Sequence, residues 1–261
     1  MKTLKLTTLF VTLASAFLFS SCLSNDSNAK YPYYQSYVTI TGDAAFGYTF
    51  HSDFGCTLKP TSSSVETVLP GLSKSNVKRA LVAFDLIPEN LNGTQLEAGK
   101  TYDIALVNYH ASNYALPTYE TIDVNYRPEA LDSLTSKNKD ITSVDKSNIW
   151  AINGYINVPL TISYEYNKQF YLNTYFNSKE DIDLSTNTLY LNMYYNSNSE
   201  LTSNRGSSIF SFKLPESVID ENDFTADSIN VVLKALVNDK TELSEVGECK
   251  VALKDFRTPM Y

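Results

Sequence analysis

The residues able to do chemistry are few and scattered. His51 and His110 are the only two imidazoles in 261 residues. A zinc site built on two histidines one helical turn apart is therefore absent, and so is any paired-cysteine metal motif. Each histidine ends a strand-like segment and reads most simply as a polar residue at a loop edge. No Gly-x-Ser-x-Gly elbow, phosphate-cradling glycine loop or dinucleotide fingerprint occurs. A convergent carboxylate pair could hydrolyse a glycosidic bond, but 29 Asp and Glu residues single out no pair. The densest acidic spots are Glu180-Asp181-Ile182-Asp183 and Asp220-Glu221-Asn222-Asp223. Counted from Asp181, a calcium-binding EF-hand loop would need Gly where Thr186 stands and Glu where Asn192 stands. Solvated turns are the better reading. The expectation is a protein with no cofactor, no metal and no catalytic residue.

One pattern points to binding. Tyr171, Asn173 and Tyr175 fall on one face of a period-two segment, opposite Phe170, Leu172 and Phe176. Tyr190, Asn192 and Tyr194 repeat the arrangement, opposite Leu189, Leu191 and Met193. If the two strands pair, phenol rings and amides line one surface. Rings of this kind pack on apolar sugar faces while amides and hydroxyls bond to hydroxyl groups. The competing reading is cross-strand tyrosine pairing that only stabilises a sheet, by about 0.2–1 kcal/mol per pair, or a face covered by the other domain.

The elements that must position these residues are strands. The chain is 43% hydrophobic with 9 Gly and 9 Pro, which excludes wholesale disorder and collagen-like repeats, and its 19 Tyr and 13 Phe favour strands. Short alternating segments are predicted at 37–41, 45–51, 64–69, 78–87, 101–110 and 119–125. Their spacing, without long helical patterns, fits a small barrel over residues 36–127. Residues 128–148 are polar, with one possible helical turn at Pro128, and read as a connection. Residues 149–261 bring further strands at 155–166, 169–176, 188–195, 208–214, 229–236 and 248–253. The first two are expected to form a hairpin around Asn167-Lys168. The predicted fold class is all-β: a small barrel followed by an antiparallel β-sandwich. A net charge of -8 without a local basic patch argues against a nucleic-acid partner.

The first residues carry an address. Lys2 and Lys5 precede an apolar run from Leu9 to Phe19, too short to span a bilayer but typical of an export signal. Ala14-Ser15-Ala16 fits an ordinary cleavage site but would leave Phe17, Leu18 and Phe19 exposed. Phe19-Ser20-Ser21-Cys22 resembles a bacterial lipobox, with Phe where Leu is usual. That resemblance implies a signal peptide over 1–21, acylation of Cys22 and a polar tether over 22–35. The expected partners are the membrane, through acyl chains such as palmitate, and an envelope protein or glycan. The expected location is the cell envelope, as an outer-membrane lipoprotein facing either the periplasm or the cell surface. With Cys22 acylated, Cys56 and Cys249 remain as an even pair. They form either a disulfide or two small buried hydrophobes.

Several short motifs resemble NigD-like lipoproteins of the Bacteroidetes. They are Val38-Thr39-Ile40, Tyr48 to Phe50, Asp53 to Pro60, Val77 to Leu86 with a basic pair ahead of an apolar strand, and Tyr102-Asp103-Ile104. In the second half, Asn148-Ile149-Trp150 through Gly154-Tyr155-Ile156-Asn157 extend the likeness. The resemblance implies an OB-like N-terminal barrel and a C-terminal β-sandwich. It associates the chain by family name with a bacteriocin gene cluster, and thus with an immunity role, and implies no reaction. A polysaccharide-acting enzyme is the rival reading.

Overall fold

Along β1 (Tyr34–Asp43) Val38 and Ile40 are buried in one core while Tyr37 and Thr39 face the other way, the alternation of a strand with two different environments. The computed structural model describes residues 32–70, 72, 77–109, 114–136, 138–139, 141–200, 202–220, 224, 226–237 and 241–256. It continues with β2 (Gly47–Ser52), β3 (Thr57–Pro60), helix α1 (Ser62–Val68), β4 (Arg79–Leu86) and β5 (Thr101–Leu106). The strands follow the order β1-β2-β3-β5-β4, and β4 pairs back onto β1, so the sheet closes. Only β3 and β5 pair in parallel. This is a five-stranded barrel of OB type, filled by Val38, Phe50, Leu58, Val82, Phe84 and Ile104 among others. A short strand β6 (Tyr114–Ala115) extends the barrel's sheet by pairing with β4.

Residues 64–69, expected as a strand, lie within and just after α1. Thr61 adopts an extended conformation and its hydroxyl accepts from the Ser64 N–H at 3.4 Å, an N-cap. The helix then buries Val65 against the barrel core. A cap followed by one apolar anchor outweighs the weak strand preference of a serine run.

The sandwich comprises β7 (Thr118–Tyr119), β8 (Thr121–Asp123), β9 (Ser143–Val144), β10 (Trp150–Ile152), β11 (Tyr155–Tyr164), β12 (Tyr171–Phe176), β13 (Ile182–Asp183), β14 (Thr188–Asn196), β15 (Asn204–Lys213), β16 (Ser228–Ala235) and β17 (Ser244–Ala252). One sheet runs β10-β11-β15-β7 with β9 beside β11. The other runs β17-β16-β14-β12-β8 with β13 beside β14. Ile156, Val158, Leu160, Phe210 and Phe212 from the first sheet meet Leu172, Leu189, Leu191, Met193, Val231 and Val251 from the second. The sandwich is largely antiparallel, but β8–β12, β14–β16 and β7–β15 pair in parallel. Short helices α2 (Pro128–Ser136), α3 (Ser217–Asp220) and α4 (Leu253–Phe256) decorate it. Among the described residues no helix is long and apolar enough to cross a membrane.

Three expectations change. The segment at 119–125, assigned to the barrel, divides between β7 and β8 and joins both sandwich sheets. The stretch 128–148 supplies α2 and β9, both packed on the sandwich, so it is not a free connection. The expected Asn167-Lys168 hairpin does not form, because β11 pairs with β9, β10 and β15 while β12 pairs with β14 and β8. The inward rows of β11 and β12 are both apolar, so the strands gain more by facing each other across the core than by sharing a sheet.

Candidate functional site

Barrel and sandwich meet on a polar clamp centred on Arg79, whose side chain is 0% exposed. Arg79 opens β4 on the barrel's outer row, and Thr39 lies opposite it on β1. Its Nη1 donates to Thr39 Oγ1 at 3.0 Å and to Asp53 Oδ1 at 2.6 Å. Its Nη2 donates to Asp53 Oδ2 at 2.7 Å and to Asn157 Oδ1 at 2.8 Å. Meeting the terminal nitrogens in this way offsets most of the cost of taking a guanidinium out of water. The Nε donor has no partner among the described residues, and the cation lies 5.8 Å from the centre of the Tyr155 ring.

Local structure explains the aim of each partner. Asp53 sits in the β2–β3 turn, where its N–H donates to the Tyr37 carbonyl, and Gly55 closes the turn with a positive φ of 83°. Trp150 and Asn157 face each other across the β10–β11 hairpin. That hairpin turns on Asn153-Gly154, with φ of 53° and 80°, the two-residue connection whose twist matches the flanking strands. From it the Trp150 indole N–H donates to Asp53 Oδ2 at 2.8 Å. Ser211 on β15 donates to Asn157 Oδ1 at 2.7 Å. Asn157 and Ser211 are wholly buried. Aromatic packing borders the clamp, with Tyr37 and Trp150 ring centres 5.5 Å apart. Burial, with Tyr114 and Asp53 nearby, pushes the Tyr37 phenol up to about 12.

The strands that reach the clamp also leave it. Two residues beyond the Asn157–Ser211 pair, about 7 Å along the strands, Pro159 lies opposite Ile209, and Thr161 follows opposite Ser207. These residues, with Ser143, Asp145 and the barrel's Tyr114, line an open groove of about 430 Å³. Thr161 and Ser207 hydroxyls bond to each other at 2.7 Å. Both domains therefore contribute to one concave surface, a place where ligand sites commonly form.

The tyrosine face predicted for binding is assembled but covered. Tyr175 pairs with Asn192, Asn173 with Tyr194, and Tyr171 with Asn196. Tyr175 and Tyr194 are 5% and 6% exposed beneath Leu134 and Ala130 of α2, with Val124 and Leu243 beside them. Asn192 is buried and its Nδ2 donates to Asp181 Oδ2 at 3.4 Å. Tyr190 carries the Lys234 ammonium 4.2 Å from its ring centre, and only Tyr171 remains largely exposed. The polar outer row is thus the seat of a helix. Ala130 and Leu134, one turn apart on α2, were the signal in the sequence.

The remaining residues resolve simply. Cys56 is buried in the barrel core and Cys249 in the sandwich core, both free, so the possible disulfide is not formed. Separate cores keep the thiols apart, and burial pushes Cys249 up to about 12. His51 shares a 3.0 Å hydrogen bond with Thr41 Oγ1, and burial lowers its pKa. Asp183 accepts from the Ser185 N–H and hydroxyl as a turn residue. Cys22 and His110 lie outside the described residues.

Residues 124–245 match the family model described as NigD-like C-terminal beta sandwich domain. Among solved structures, a toxin-related protein from Parabacteroides distasonis aligns with a TM-score of 0.57 at 17% identity, covering 86% of this chain and 96% of that one. A protein of unknown function, DUF1344, from Bacteroides vulgatus aligns at 0.53 and 16% identity, covering 81% and 87%. A NigD-like immunity protein from Bacteroides caccae aligns at 0.50 and 16% identity, covering 84% and 93%. At these identities the likeness is one of fold. No curated protein matches the chain.

Proposed function

This chain belongs to the NigD-like family through its C-terminal β-sandwich, and from that premise we propose that it is a lipid-anchored envelope protein that binds a partner protein in an immunity role. The observation that carries this reading is the Arg79 clamp. It joins barrel and sandwich through the Arg79–Asn157 and Trp150–Asp53 hydrogen bonds, braced within the barrel by the bidentate Arg79–Asp53 pair, and holds a groove lined by both domains. A binding protein benefits from such preorganisation, because less ordering remains to be done on association. The immunity and toxin-related descriptions of two structural neighbours favour a protein ligand. The lipobox-like segment ending at Cys22 supports anchoring by acyl chains in the outer membrane, facing the periplasm or the surface.

Two measurements test the reading. Cells lacking the protein should become more sensitive to bacteriocins secreted by competing strains, and equal sensitivity across such a panel would remove the immunity role. Alkyne-palmitate should label the protein, and Cys22→Ala should lose both label and membrane retention; retention without label would remove the anchor. A glycan ligand is the second reading, favoured by Tyr114 beside the hydroxyls of Ser143, Thr161 and Ser207 in the groove. Saturable binding on a glycan array, lost in Tyr114→Ala, would move the assignment there.

A further inference from the structure

Among the described residues the edge of β15 is half covered. β7 pairs only with Ser211 and Phe212, because the chain leading to it comes from the barrel, where Tyr114 and Ala115 pair with β4. The Ser211 N–H donates outward to the Pro117 carbonyl at 3.1 Å. Backbone groups on an antiparallel strand alternate between its two neighbours, so Ile209, Ser207 and Arg205 present their N–H and C=O groups to the same edge. Pro159 agrees with this phase. It stands opposite Ile209, where β11 directs its backbone away from β15, and its carbonyl accepts from the Asp145 N–H at 3.0 Å.

We propose that this edge docks an extended polypeptide segment of the partner protein, which adds as a strand beside Arg205–Ile209 and sets a carboxylate against Arg205. The inference rests on the protein-binding reading above and names the surface and the peptide chemistry. An unpaired strand edge is a template for another chain, and proteins usually blunt it with proline, lysine, a bulge or a cover. From Asn204 to Phe210 the strand has no proline or lysine, and its register against β11 runs through ten pairs without a shift. Arg205 is exposed and makes no ion pair among the described residues. Continuity supplies the direction, since β7 already adds to this edge in parallel and a docked strand would extend the same line. Ser207 and Ile209 also floor the groove, so the added strand lies beside a recess where side chains give specificity.

The probe is a positional-scanning library of fluorescein-labelled linear nonapeptides, read against the purified chain by anisotropy and amide hydrogen exchange. Peptides with Asp or Glu at one fixed position should bind, and the amides of Arg205, Ser207 and Ile209 should gain about tenfold protection or more. Ser207→Pro removes one outward N–H at a position where an edge strand tolerates proline. It should abolish peptide binding while leaving the melting temperature near that of the parent chain. Arg205→Glu should shift the selected residue from acidic to basic. Binding without protection of these amides, or unchanged binding in a folded Ser207→Pro variant, overturns the site. So does peptide-free protection that rises with protein concentration, which would mark self-pairing. Toxin protection retained by the Ser207→Pro variant overturns the edge alone and leaves the immunity reading standing.

Discussion

Arg79 and Asp53, 26 positions apart, meet as a bidentate ion pair at 2.6 and 2.7 Å, with the guanidinium fully out of water and the carboxylate almost so. Removing one partner of such a pair leaves a charge without compensation, which costs about 3–5 kcal/mol. Asp53→Ala should therefore be among the most destabilising single substitutions in the barrel, read as a lower urea midpoint. Adding Arg79→Met should recover part of the loss, because the stranded cation is gone. A double variant less stable than Asp53→Ala would show that the pair is not what makes the single change costly.

Asn157 carries the clamp into the sandwich, and its Oδ1 accepts from both Arg79 and Ser211. Asn157→Leu keeps the volume and strands two buried donors at about 1–3 kcal/mol each. The consequence should appear in cooperativity as well as stability. The parent chain should unfold in one transition, whereas the variant should separate barrel from sandwich in calorimetry. Trp150, the one tryptophan, sits at the junction and donates to Asp53. Its emission should redden at the first of the two transitions.

These relationships mark what was legible in the sequence. Asp53, Arg79, Trp150 and Asn157 all lie in the short motifs that carry the family resemblance, yet as sequence they are separate fragments. Trp150 and Asp53 are 97 positions apart and Arg79 and Asn157 are 78 apart, and strand periodicity says which face a residue takes, never what meets that face. The same gap explains Tyr175 and Tyr194. Alternation places them correctly on the outer row of paired strands, but the cover comes from α2, a short helix inside a polar stretch. Strand positions were readable because each alternates against a core. At Asn167-Lys168 a turn joins strands that pair with other partners, so a turn signal alone does not specify a hairpin. Asn153-Gly154, with both residues at positive φ, is the stronger local signal and does close a hairpin.

The helix over the tyrosines yields its own prediction. Leu134 is 5% exposed and packs on Tyr175 and Tyr194, so Leu134→Ala should cost about 2 kcal/mol, the low end for a buried leucine in a small cluster. Tyr175→Ala should likewise lower stability, by denaturant titration, rather than weaken any ligand. A Tyr175→Ala variant with parental stability would return the face to the list of candidate binding surfaces.

The two thiols should behave as inert core residues. Cys249 is held as a thiol by burial, with Glu248 adding to the effect, and Cys56 is raised by burial as well. An aromatic disulfide reagent at pH 8 should find neither in the native chain and both after denaturation. One bond between them would lower the mass by about two hydrogens and remove both signals; that result would contradict the separation of the cores.

High pH should find the chain's weak point. Tyr37, Tyr119 and Tyr195 are pushed by burial from 10.0 to about 12, and Cys249 moves from 9.0 to about 12. In the unfolded chain these groups ionise at their ordinary values, while the folded chain keeps their protons about two pH units longer for the tyrosines and about three for Cys249. Between those limits the unfolded state binds fewer protons, so stability falls as pH rises. It should be complete below about pH 9 and drain away between roughly pH 9 and 12. The melting temperature should drop across that window, and phenolate absorbance near 295 nm should show a late group of tyrosines appearing together with unfolding. Free titration of every tyrosine near pH 10 with the fold intact would mean that these rings are not held out of water.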